Sequence, residues 1–421
     1  MGINNLKKFI IIVFIIIISI LSAWSANKNH PTEVSILMPA PFSDSTEGLI
    51  EKFNQKELGK IHISVTKGPR ETESVSDLAI SSLLLGNSPF DIILIDVTWL
   101  PKYAEAGWLA NMEPWIDLNK WNSLSSGAKL GNEYNNNIYR WPLNADIGLL
   151  YWRKDLMKNP PRTPEELINT SIRLKENGDV SYGYVWQGRQ YEGLSCVYLE
   201  VLNGFGGEWI NTNKEVKLST KEAINASRWM KTLILTGASP KSVTNFTENE
   251  ALQLFMSGDA ALMRNWPYAW AELQKDTSAV KDKVAVTTMV SQREEDRIST
   301  LGSWGLSIMQ SSPNKDAAYK VIDYLTSDES QKELFLKYGY TPTSSNLYND
   351  KSLLAIAPIL EDINKGLSIT KPRPQSPLYA QISDVLQSEL SSILTGQKSV
   401  ENAMNIAQFK TDNILSSAGE R

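Results

Sequence analysis

The chain is 421 residues long, 42% hydrophobic and 21% charged, a composition that supports two large globular domains with substantial cores. Lys and Arg number 42 against 47 Asp and Glu, for a net charge of −5. With no cluster of Lys and Arg to neutralise phosphates, that mildly acidic balance argues against nucleic acid as a partner.

In chain order, Lys7-Lys8 precedes the apolar run Phe9 to Leu21 and the small-residue stretch Ser22-Ala-Trp-Ser-Ala26. Residues 1–26 therefore read as a signal peptide cleaved after Ser25 or Ala26, or as an N-terminal membrane anchor, since about 18 apolar residues approach the length of a span. Either way the lysines hold that end inside and the rest is exported. Val34–Met38 and Ile61–Val65 read as strands, with a helix over Glu47–Gln55 between them and another over Glu73–Leu85. Phe90–Asp96 is a third strand, leading into a helix through Tyr103. Strands alternating with helices imply a parallel sheet covered on both faces, with ligands at the strand C-termini, where Asp96, Thr98 and Trp99 fall.

Asn144–Trp152 reads as one strand that begins polar and ends apolar. Thr163-Pro-Glu-Glu166 marks a helix N-cap, and Gly204 to Gly207 breaks a further helical run. Glu250–Leu262 has amphipathic helical spacing. The segment that follows, Met263-Arg-Asn-Trp-Pro-Tyr-Ala-Trp270, is the most distinctive stretch of the chain. The Trp266-Pro267 bond disfavours helical dihedrals at Trp266, so the segment reads as a helix end or a turn that displays Trp266 and Tyr268, with Trp270 packed inward. Rigid aromatic faces on a turn suit a flat ligand with alternating C–H and O–H edges, as in a sugar ring. Ser291–Arg297 is a charged surface loop, Leu301–Ile308 a strand, Ser312–Asp316 the cap of a helix to Leu325, and Ser376–Leu394 and Val400–Leu415 are helices.

Two His and one Cys exclude more chemistry. Neither His30 nor His62 sits in a context that completes a nucleophile pair, and a zinc site lacks ligands. Cys196 can form no intrachain disulfide and reads as a buried apolar residue. No metal or cofactor is expected.

Several segments in one order resemble the extracellular solute-binding proteins of ATP-binding-cassette carbohydrate importers, closest to the trehalose/maltose-binding branch and to cyanobacterial-type binders of glucosyl osmolytes. They are Asp91–Trp99 with Glu105–Leu109, Asn144–Arg153, Val185–Leu194, Met263–Trp270, Gly302-Ser-Trp-Gly305, Ser312–Ala318 and Lys371-Pro-Arg-Pro374. The resemblance covers the chain from Thr32 onward. It implies an α/β two-lobe periplasmic-binding-protein fold of class II, maltose-binding-like, with an inter-lobe ligand cleft and hinge. Residues 33–145 with 307–342 would form the N-terminal lobe and 146–306 with 343–416 the C-terminal lobe.

By the same resemblance Asp96 and Asp146 take positions where the family uses carboxylates to accept sugar hydroxyls, and Trp304 that of a stacking residue. The alternatives are that Asp96 caps the helix after it, that Asp146 binds backbone amides at a hinge, and that Trp304 is a core residue. Gly302 and Gly305 would give a ligand room near the backbone. Arg373, between Pro372 and Pro374, would span adjacent hydroxyls with its fork of donors or form a surface salt bridge. Trp266, Tyr268, Tyr191 and Trp99 are wall candidates, with Trp186, Gln187, Glu192 and Tyr379 behind them. Where relatives carry an acid in the loop after the first strand, this chain has Pro39–Glu47, so Asp44 or Glu47 would serve. A basic residue expected in the next helical region has no clear match; Arg70 is only nearby.

The implied function is a receptor, monomeric and not an enzyme, that captures a small α-glucoside (glucosylglycerol, trehalose, sucrose or maltose) in the periplasm or at the outer face of the cytoplasmic membrane. Its partners would be that carbohydrate and the permease's transmembrane subunits, with membrane contact through the permease or an uncleaved anchor. The alternative is an exported glycoside hydrolase using paired carboxylates.

Overall fold

The computed structural model describes residues 30–70, 72–84 and 88–420, so the N-terminal segment 1–26 lies outside the described residues. Among those described, no helix is long and apolar enough to cross a membrane. Two compact units divide the chain: the residues up to Ile93 with Ser311–Tyr324, and Leu94–Gln310 with Leu325–Arg421.

The first unit is built on the parallel strands Thr32–Pro39 and Ile61–Gly68, in register from Thr32 opposite Ile61 to Pro39 opposite Gly68. Ile36 and Leu37 also pair with Ile92 and Ile93. Val34, Ile36, Leu37 and Met38 are all buried, as expected of a strand flanked on both sides. The helix expected from Glu47 instead begins at Ala40 and runs to Lys56. Pro39 and Pro41 read as loop signals, but Pro41 falls in the first helical turn, where its missing N–H costs nothing. Phe42, Thr46, Leu49 and Phe53 then recur at helical spacing and are buried. Asp91 joins the two chain segments of this unit. Its carboxylate accepts the Ser35 N–H and hydroxyl at 2.9 and 3.0 Å and the Ser312 hydroxyl at 2.6 Å. The Tyr324 ring lies 5.1 Å from that of Phe53.

The second unit holds a four-stranded sheet in the order Val284–Thr287, Leu149–Arg153, Ala260–Asn265, Tyr182–Val185. Leu149–Arg153 is antiparallel to both of its neighbours, and the last pair is parallel. A short sheet joins Thr370–Lys371, Ser299–Gly302 and Asp146–Ile147. Helix Glu192–Gly204 is buried at every position from Gly193 onward, because helices Lys221–Leu235 and Tyr379–Leu394 pack against it and a helix enclosed in this way has no solvent face. Cys196 is among its buried residues.

Three further segments differ from their sequence reading. Glu250–Leu262 is not one helix: the helix spans Glu248–Met256, Gly258 turns the chain at φ +90, and Ala260–Asn265 is a strand. All six strand residues are buried, so no alternation distinguishes strand from helix. Asn144–Trp152 is two strands in different sheets, Asp146–Ile147 and Leu149–Arg153. Leu301–Ile308 likewise divides at Ser303 into Ser299–Gly302 and Trp304–Ile308.

Candidate functional site

The central strand Ala260–Asn265 ends on Trp266, which is half-buried. Pro267 then starts the short helix Tyr268–Leu273, so the rings are displayed from the end of a strand. The Trp266 indole N–H donates to Glu248 Oε1 at 3.1 Å, and its backbone N–H donates to Asn265 Oδ1 at 2.8 Å. The Arg264 guanidinium lies 3.9 Å from the Trp266 ring centroid, within cation–π range. Tyr191 donates its hydroxyl to Glu248 Oε2 at 2.8 Å. Burial, and next the Glu248 charge, push the Tyr268 hydroxyl well above its ordinary range. Trp266 and Tyr191 thus converge on one carboxylate.

Behind Trp266, Arg264 is wholly buried and forms an ion pair with the equally buried Glu200, its Nε donating to Oε2 at 3.0 Å. Burial pushes the Glu200 carboxyl up, and Arg264 pulls it back. Gly148 sits against this pair: a Cβ there would lie 1.7 Å from Glu200 Oε1. That contact leaves room for nothing larger than glycine at the residue where the strand predicted over Asn144–Trp152 divides.

Gly302 pairs with Asp146 in the short sheet, which brings the Asp146 carboxylate to the strand that touches Trp266. Asp146 is half-buried. It accepts the Asn144 side-chain N–H at 2.8 Å and the Thr341 backbone N–H at 3.3 Å. Burial outweighs these donors and raises its carboxyl to about 6. Asn144 Oδ1 accepts the Trp304 backbone N–H at 2.9 Å, and the half-buried Trp304 meets the Trp99 ring edge-on at 5.3 Å. The room expected for a ligand beside Gly302 and Gly305 is filled by protein. A Cβ on Gly302 would lie 2.8 Å from Trp266 Cζ3, and one on Gly305 would lie 2.6 Å from Arg140.

Asp96 ends the strand Ile92–Asp96 and is buried. Its Oδ1 accepts the Thr98 N–H and hydroxyl at 2.9 and 2.7 Å, and Arg373 Nη2 lies 3.0 and 3.1 Å from its two oxygens. The next helix, Leu100–Glu105, has Trp99 at its N-cap and no side-chain cap, so Asp96 closes a turn with Thr98. Arg373 is 3% exposed, not at the surface. Its Nη1 donates to Glu192 Oε1 at 2.7 Å. Tyr379 and Ser383 hydroxyls also donate to Glu192, whose carboxyl burial pushes up against the pull of Arg373. The Arg373 fork therefore joins two protein carboxylates.

Asp44 and Glu47 occupy exposed positions of helix Ala40–Lys56 in the first unit, where Asp44 pairs with Lys67 at 2.5 Å. Trp186 and Gln187 are fully buried, donating to Ser239 Oγ and to the Arg264 carbonyl at 3.0 Å each; they belong to the interior. Sequence reasoning passed over Glu248, Arg264 and Asn144. Only Glu248 had a local signal: Thr247 and Glu250 form a capping box, which places Glu248 at the helix start.

Residues 40–332 match the family model described as bacterial extracellular solute-binding protein. A probable ABC transporter-binding protein of Deinococcus radiodurans is 29% identical over 346 residues, 79% of this chain and 82% of that protein. A mannitol-binding protein of Pseudomonas aeruginosa is 26% identical over 357 residues, 78% of this chain and 81% of that protein. Among solved structures, maltose-bound T. maritima MalE3 superposes with a TM-score of 0.85 at 30% identity, over 91% of this chain and 100% of that one.

Proposed function

The chain belongs to the bacterial extracellular solute-binding proteins, and from that membership we propose that it is the receptor of an ATP-binding-cassette sugar importer. Its fold is that of the two-lobe, maltose-binding-like members. The family is one of binding proteins rather than enzymes, which removes the hydrolase alternative. The receptor captures a small α-glucoside outside the cytoplasm and hands it to the permease's transmembrane subunits. Glucosylglycerol, trehalose, sucrose and maltose are the first ligands to test, with mannitol added because a relative is named for it. The lobes we assign are 33–145 with 307–342 and 146–306 with 343–416, closing on the sugar as other hinged receptors do.

One observation carries this reading: the half-buried Asp146 carboxylate, with one hydrogen bond accepted on each oxygen, belongs to the residue paired with Gly302, whose strand contacts Trp266 and ends two residues before Trp304. A carboxylate oxygen has a further lone pair for a hydroxyl, and charge-assisted bonds of that kind are the stronger ones. Removing such a bond costs roughly 1.5–3 kcal/mol. Asp146→Ala and Trp304→Ala are each expected to weaken the tightest-binding sugar about tenfold or more by calorimetry. Wild-type affinity in both variants removes this site.

Because hydroxyls donate to the ionised carboxylate, affinity is expected to fall as pH drops through about 6. The unliganded fold responds in the opposite sense. Its Asp146 holds a proton more tightly than the unfolded chain does, so this group favours the fold at low pH and that contribution fades as pH rises through about 6. Asp146→Asn should flatten the affinity profile between pH 5 and 7.5, a window of roughly one unit or more on either side of the titration. A profile as steep as wild type assigns the dependence to another group.

A further inference from the structure

Glu248 lies at the first position of helix Glu248–Met256, held there by the Thr247–Glu250 capping box, where the helix dipole favours its negative charge. Its two carboxylate oxygens take different rings from different elements: Oε1 accepts the Trp266 indole N–H and Oε2 the Tyr191 hydroxyl. Asn265 closes the arrangement, donating to the Glu248 carbonyl at 3.1 Å while accepting the Trp266 backbone N–H. Each ring also has a guanidinium over it, Arg264 at 3.9 Å from Trp266 and Arg189 at 5.4 Å from Tyr191.

Both rings are half-buried rather than core. Left untethered, such a ring samples more than one rotamer, and ordering it on binding costs roughly 0.5–1.5 kcal/mol for each side chain. With its single donor committed to Glu248, neither ring has a hydrogen-bond donor left, and each offers a ligand mainly carbon surface. Donation to sugar oxygens is then closed to both rings, and recognition of hydroxyl hydrogens falls chiefly to the carboxylate of Asp146.

We infer that Glu248 is a positioning residue of the sugar site, a single carboxylate that fixes Trp266 and Tyr191 in advance so that they meet a sugar through their faces. This role rests on the receptor reading above. It predicts that Glu248 acts on affinity only through the two rings.

The test measures binding of the tightest ligand among glucosylglycerol, trehalose, sucrose, maltose and mannitol, by calorimetry on the full chain. Glu248→Ala is expected to weaken binding about tenfold, the summed cost of ordering two rings. Glu248→Gln is expected to recover most of the loss, because its amide oxygen accepts the indole N–H and its amide N–H donates to the tyrosine oxygen. In a Trp266→Ala/Tyr191→Ala background, Glu248→Ala should change affinity no further. A loss of the same size in that background overturns the positioning role. Wild-type affinity in Glu248→Ala, with Trp266→Ala still impaired, overturns it and leaves the receptor reading standing. No binding of any of these sugars by the wild type removes both. Should Glu248→Ala fail to fold, Tyr191→Phe cuts one tether alone: about two- to threefold weaker binding supports the role, and unchanged binding overturns it.

Discussion

Replacing Arg373 with methionine will destabilise the fold by roughly 3–5 kcal/mol, the range for breaking a buried ion pair by removing one partner. Arg373 is 3% exposed and reaches Asp96 and Glu192 together, so its loss takes a shared counter-charge from two carboxylates. The neighbours that remain include hydroxyls and amides, Thr98 on Asp96 and Tyr379, Ser383 and Gln387 on Glu192, and the buried Arg140 guanidinium still acts on Asp96. The hydroxyls and amides can solvate a carboxylate but carry no positive charge. Arg373→Lys is expected to recover little, since an ammonium is a point charge and cannot span both acids as a planar fork does. Combining Arg373→Met with Asp96→Asn and Glu192→Gln should restore much of the loss. Urea unfolding midpoints would decide the matter. A change under about 1 kcal/mol in the single variant would mean that the ion triad contributes no more than a surface pair.

The same size of effect, roughly 3–5 kcal/mol, is expected for Arg264→Met, which leaves Glu200 without its counter-charge in an interior where both side chains are 0% exposed. Here the consequence extends to the ligand. Arg264 lies over Trp266, so the variant loses the cation–π contact, worth about 0.5–2 kcal/mol, together with the ring's fixed position. The double variant Glu200→Leu/Arg264→Met removes both charges, and buried ion pairs replaced by apolar groups of similar volume are often neutral or better. It is expected to be more stable than Arg264→Met yet still to bind sugar more weakly than wild type. That split separates the pair's role in folding from its role behind Trp266. If the double variant regains wild-type affinity, Arg264 contributes nothing to the ring wall.

What the sequence by itself determined is what local chemistry encodes. Strand Thr32–Pro39 and helix Pro164–Glu176 with its Thr163 cap follow from hydrophobic runs and capping residues that act within a few positions. Burial of Cys196 follows from its apolar neighbours. The ring-bearing segment around Trp266 was legible too, because a Trp-Pro bond restricts backbone dihedrals wherever it occurs. The tertiary structure alone decided that Ala260–Asn265 is a strand, since burial on both faces erases the alternation by which a strand is read. It alone decided the breaks at Gly148 and Ser303; at the first, a carboxylate from a helix about 50 residues further along the chain leaves room only for glycine. The pairing of Arg373 with acids 181 and 277 residues away leaves no local trace, because a charged residue between two prolines has the same sequence signature at the surface as in the interior. Helix starts and turns are governed by contacts within one or two turns of chain. Which carboxylate faces which guanidinium depends on burying both together, and only the assembled core imposes that.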